Sequence, residues 1–167
     1  MNKTTGITVL LLAFGWTWWR CVQPPDYPIE PVIEFVSLSK NTMRQTPLGQ
    51  DSIVITIGFT DGDGDLGFQS DEPSIFITDG RDSFAKPPYR LPYIDQQGAG
   101  NGISGEISIL LPTTCCIYTD PLTGFKLSCE NVPVKQDSVF YYIRIRDRAG
   151  HYSNQIATPK IRLICRE

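Results

Sequence analysis

Three aspartates stand at every second position in FTDGDGDLG, residues 59 to 67, with glycines between them. Carboxylates at that density repel unless a cation neutralises them. Hard oxygen ligands of this kind suit calcium, which takes six to eight oxygens in flexible geometry. Glycine spacers let the backbone curl until alternate side chains converge on one point. The competing reading is an acidic turn, since Asp and Gly are favoured in turns for their backbone preferences alone. Magnesium is the lesser ion, because it enters all-protein cages reluctantly.

The longer stretch DGDGDLGFQSDE, residues 61 to 72, sits close to the register of an EF-hand loop. Asp61, Asp63 and Asp65 take its first, third and fifth positions and Glu72 its twelfth. The carbonyl of Gly67 would serve the seventh. Leu66 stands where an EF-hand needs glycine, and the flanks GF and PSIFIT read as strands, so this is an acidic loop between strands. Asp79 and Asp82 follow the next strand and can return to the same end of a sandwich. The expected calcium ligands are Asp61, Asp63 and Asp65, completed by Glu72 or Asp79. Asp147 also ends a strand, but its direction is not set by the sequence.

Nothing in the chain amounts to an active site. It has one histidine, His151, no Gly-x-Ser-x-Gly elbow and no glycine-rich phosphate loop. Paired aspartates can hydrolyse glycosides, yet alternation within one loop suits a cation better. The expectation is a protein that is not an enzyme. Tyr89, Tyr93, Tyr118 and Tyr152 are candidates for stacking on a sugar or a protein partner, though singly they read as packing residues.

The elements that must position these residues alternate with period two. Strands are expected over 32–39, 51–59, 73–79, 89–94, 103–112, 138–147 and 156–164. In 51–59, Ile53, Ile55 and Ile57 share one face; in 138–147, Val139, Tyr141, Ile143 and Ile145 do. Pro92 demotes 89–94 to an edge. QQGAGNG, 96–102, reads as a flexible loop, and CCIYTDPLTGFKLSC, 115–129, as a long hairpin. Seven short strands, thirteen prolines, fourteen glycines and no helical period predict an all-β chain, an antiparallel β-sandwich over 32–167.

Ahead of the sandwich, residues 1–21 read as a secretory signal. Lys3 supplies the positive start and Ile7 to Trp19 an apolar run shorter than the ~20 residues that span a bilayer. Residues 22–31 hold four prolines and read as a stiff extended tether. Removing 1–21 leaves 13 basic against 18 acidic residues, without the basic patch that nucleic-acid binding needs. If Cys21 is modified, Cys115, Cys116, Cys129 and Cys165 remain, an even number that in an exported chain points to two disulfides. Their spacing lacks a paired zinc knuckle. Cys129 is expected to join Cys115 or Cys116 and Cys165 the other; 116–129 with 115–165 is preferred, and the opposite crossing stays open.

YYIRIRDRAGHYSN resembles the last hairpin of Ig-like, fibronectin-III-like and cadherin-like bacterial surface modules, in which an aromatic strand runs into Asp-x-Ala-Gly-Asn-x-Ser. Asp147, Ala149, Gly150 and Ser153 match, with His151 in place of Asn. With GFTDGDGDLG it is similar to the small Ig-like lipoproteins common in Bacteroidetes. Cys21 resembles their lipidated cysteine, although Arg20 and Trp18 depart from the small and aliphatic residues of that signal. The resemblance implies an Ig-like fold and a lipid-anchored protein of the cell envelope, in the outer membrane. Its membrane contact would be the N-terminal anchor, and its partner a protein or a glycan. The alternative role is a carbohydrate-binding accessory protein of the cell surface.

Overall fold

The computed structural model describes residues 26–46, 48–96, 102–129 and 132–166. The signal, Cys21 and most of the 96–102 loop lie outside the described residues. The chain is all-β, with eleven strands among those described.

The isoleucine alternation builds the centre of the first sheet. In β3 (Ser52–Asp61), Ile53, Ile55 and Ile57 are buried. β3 pairs antiparallel with β1 (Val32–Leu38) on one side and β5 (Ile103–Pro112) on the other. The β3–β5 ladder runs without a break from Ser52↔Pro112 to Asp61↔Ile103, while β1 carries a bulge between Phe35 and Ser37. Each fully buried isoleucine contributes roughly 1.5–3 kcal/mol through removal of apolar surface from water.

The opposing layer is built from two three-stranded sheets that share continuous chain segments. β9 (Tyr141–Ile145) lies between β4 (Ile75–Asp79) and β10 (Ile156–Ala157), and β11 (Ile161–Ile164) between β2 (Thr42–Arg44) and β8 (Gln136–Val139). Only Phe140 separates β8 from β9. Thr158 holds the joint, its N–H donating to the Tyr141 carbonyl and its hydroxyl accepting from the Tyr141 N–H. Tyr141, Ile143, Ile145, Ile161 and Leu163 face inward against the isoleucines of β3 in one core. The expected strands 138–147 and 156–164 are therefore each present but divided, the second at Pro159, which has no N–H for a ladder. β2 pairs parallel to β11, the one parallel pairing among the described strands.

Segment 89–94 forms no strand. Tyr89 makes a single bridge to Ile75, and Pro92 interrupts what would follow. The 115–129 hairpin is present as β6 (Ile117–Thr119) and β7 (Lys126–Ser128). Its cysteines correct the preferred pairing: Cys115 bonds Cys129 and Cys116 bonds Cys165. The adjacent side chains do point to opposite sides. Cys116 is the buried one and meets Cys165 beneath β11, leaving Cys115 to close the hairpin base. Which of the two faced the core depended on how the hairpin leaves β5, and alternation alone does not fix that.

Candidate metal centre

β3 carries its inward face to its last residue, so Asp61 arrives where another core side chain would stand and is fully buried. The chain then turns tightly. The Gly62 N–H donates to the Pro28 carbonyl, and a Cβ on Gly62 would come within 2.4 Å of the Tyr27 carbonyl oxygen, so only glycine lets the end of the N-terminal tether approach. Gly64 is left-handed, with φ of 69°. Leu66 is fully buried and pins the loop to the core. The residue that breaks the EF-hand pattern is the one that anchors this loop.

Within this turn Asp61, Asp63 and Asp65 converge, each offering an oxygen within 4.8 Å of those of the other two. The protein uses one oxygen of two of them. Asp61 Oδ2 accepts from the Asp65 N–H at 2.9 Å, and Asp65 Oδ2 from the Ala149 N–H at 3.0 Å. The Oδ1 atoms of Asp61, Asp63 and Asp65 are buried and have no hydrogen-bond partner. Among the described residues no lysine or arginine forms an ion pair with any of the three. Burial, reinforced by the neighbouring Asp63, pushes the Asp61 carboxyl up to about 6. Burial and then Asp147 raise Asp65. The cluster could hold a metal ion, and carboxylate oxygens make that a hard cation.

The β9–β10 loop closes over this cluster. Asp147 is fully buried just past β9, and its charge adds to the upward push on both Asp61 and Asp65. It accepts from the His151 N–H at 2.7 Å and lies 2.9 Å from His151 Nδ1, which gives the lone histidine a structural tie. Arg148 sends Nη1 to the carbonyls of Leu66, Gly67 and Ile94, with its guanidinium 4.5 Å from the centre of the Tyr93 ring. The Gly67 carbonyl expected at the seventh ligand position is therefore occupied by an arginine.

The two expected completing ligands do not join the cluster. Glu72 is exposed and pairs with Arg146 at 3.1 Å. Asp79 ends β4, where Arg81 grips it with Nη2 at 2.7 Å and Nε at 3.0 Å, while Lys86 lies 3.9 Å away. Burial alone would raise Asp79, but the Arg81 hydrogen bonds and charge hold it below the usual carboxylate value. Arg81 also bonds Asp137 at 2.6 Å, and Asp137 accepts from the Ile117 N–H, so Asp79 belongs to a network that fastens β4 to β6 and β8. Asp147 is the further buried carboxylate whose charge acts on Asp61 and Asp65. The signal for it was only that it, like Asp61, continues the alternation of a strand whose alternate residues are apolar.

Compared with protein-family models, with curated proteins and with solved structures, the chain matches none.

Proposed function

We propose that this protein is a non-catalytic, exported Ig-like module whose acidic loop binds calcium, with Asp61, Asp63 and Asp65 as ligands. One observation carries the reading: three converging carboxylates each keep a buried oxygen that has no hydrogen-bond partner among the described residues. Leaving buried polar groups unpaired costs ~1–3 kcal/mol each, and more when they are charged. A divalent ion converts that cost into attraction. Its role is structural. The loop already holds the β9–β10 loop through Asp65 and the tether through Gly62, so filling the site fastens three segments at one end of the sandwich. Two disulfides support an extracytoplasmic setting. Lys3 with its apolar run, and Cys21 before the tether, support a lipid-anchored protein of the cell envelope.

The test is a thermal melt of the purified domain in millimolar calcium, in magnesium and in EDTA, for the wild type and Asp63→Ala. Calcium is expected to raise the wild-type midpoint more than magnesium does and to leave Asp63→Ala unmoved. A wild-type melt indifferent to calcium would reduce the cluster to an acidic turn. For the anchor, mass spectrometry of the membrane fraction should find a mature chain beginning at acylated Cys21, and an intact Met1 on a cytosolic protein would overturn it.

A further inference from the structure

The outward face of the β10-β9-β4 sheet carries aromatic and cationic side chains in alternation. Phe76 and Arg144 stand directly opposite each other across β4 and β9. Tyr152 leans on both, its ring centre 5.7 Å from that of Phe76 and 4.4 Å from the Arg144 guanidinium carbon. Tyr142 lies one row along, edge-on to Phe140 at 5.4 Å. Tyr142 and Tyr152 are 37% and 43% exposed. Beside them a groove of about 270 Å³ runs between β4 and segment 85–88, lined by Phe76, Thr78, Lys86, Arg144 and Gln155 among others.

Charge decides what this groove takes. The chain as a whole is acidic, with a net charge of −3. The groove lining nevertheless contains no aspartate or glutamate and two cations. Lys86 is partly committed, donating to the Thr114 hydroxyl and lying near Asp79. Arg144 has no carboxylate partner among the described residues, unlike Arg81, Arg90 and Arg146. Its guanidinium lies over the Tyr152 ring and its fork of N–H donors has no hydrogen-bond partner among the described residues, an arrangement suited to bidentate capture of a carboxylate. The groove on the β1-β3-β5 sheet is the reverse, with Glu34 and Glu106 flanking Gly58, and it would repel the same ligand.

We propose that the Phe76–Arg144–Tyr152 face binds an acidic glycan, with Arg144 holding the carboxylate of a uronic acid residue. The exposed rings of Tyr142 and Tyr152 supply flat apolar surfaces for the sugar ring. Thr78 and Gln155 supply groups for its hydroxyls. A glycan fits better than an acidic peptide because the cations are few and interleaved with ring faces. A run of acidic side chains would need more cations than Lys86 and Arg144.

The test is isothermal titration of the disulfide-intact protein with an oligouronate of four residues and with its carboxyl-reduced counterpart. Both are run in EDTA and in calcium, which separates this site from the loop at the other location. The oligouronate should bind in both buffers, and the reduced form about tenfold more weakly, as for loss of a charge-assisted hydrogen-bonded pair. Arg144→Ala should show the same loss with an unchanged melt, and Tyr152→Ala should weaken both ligands. Equal binding of the two oligosaccharides, an unaffected Arg144→Ala variant, or no binding at all would overturn the proposal. So would equal or stronger binding of an oligoglutamate peptide, which would assign the face to proteins.

Discussion

Asp61 and Asp79 occupy matching places and meet opposite fates. Each is the last residue of a strand, each is buried, and each follows an alternating run of isoleucines. Asp79 is met two residues later by Arg81, with Lys86 behind, and its carboxyl is held low. Asp61 is met two and four residues later by further aspartates, and its carboxyl is pushed up to about 6. Burial acts the same way on both. The sign of the neighbouring charge decides whether the site closes on itself or awaits a cation. The chain supplies a cation for Asp79 from its own sequence, and among the described residues it supplies none for Asp61.

The sharpest way to break this comparison is to remove the internal cation. Arg81→Met strands Asp79 in the interior, where breaking a buried pair costs about 3–5 kcal/mol, and urea denaturation should show that loss. Adding Asp79→Asn to Arg81→Met should recover part of it, since the stranded charge is then gone. Calcium should do for the triad what Arg81 does for Asp79. At a hundredfold excess over Kd the gain is ~2.7 kcal/mol, read as a shift of the urea midpoint against EDTA. Asp63→Asn separates repulsion from ligation. Without calcium it should stabilise by about 1 kcal/mol, the scale of one close carboxylate pair, while abolishing the calcium response.

The pH profile in EDTA reads the same contrast through protonation. Asp61 has a folded value of about 6, above its unfolded value near ~3.9. The fold then binds the proton more tightly, so the Asp61 contribution is fully present below about pH 4 and is lost as pH rises through about 6. Asp79 is held low, so its contribution is present above its unfolded value and is lost as pH falls below about 4. Asp61→Asn should flatten the first limb and leave the second. A profile in which Asp61→Asn changes nothing between pH 4 and 6 would mean that neither burial nor the neighbouring aspartates raise the Asp61 carboxyl.

Much of this architecture was legible because period two is a local signal. The Ile53, Ile55 and Ile57 face and the Tyr141, Ile143 and Ile145 face both lie in the core. The triad was legible too, since three aspartates at alternate positions with glycine spacers have few ways to avoid one another. Its expected extensions were not. Assigning Glu72 assumed an EF-hand path for the whole loop, but the buried Leu66 redirects the chain, and Arg146, just past β9 and far off in sequence, takes the glutamate. Asp79 could have been read correctly, because Arg81 stands two residues on. The disulfide crossing rested on which neighbour of an adjacent pair faces the core, a tertiary fact. Pro159 and Phe140 divide strands whose hydrophobic pattern runs straight through them.

The position of β11 bears on the order in which the molecule assembles. The β1-β3-β5 sheet needs nothing beyond Pro112 and can form from the first two-thirds of the chain. β2 and β8 have no sheet to join until Ile161–Ile164 arrives between them, and the β2–β11 contact spans nearly the whole described length. Contacts so distant along the chain form slowly. The Cys116–Cys165 bond cannot be oxidised into place any sooner. A nascent chain therefore stays open on one side until Ile161–Ile164 has been made. A chain stopped short of β11 would carry β2 and β8 as unpaired edges, the kind of surface that invites pairing with another chain.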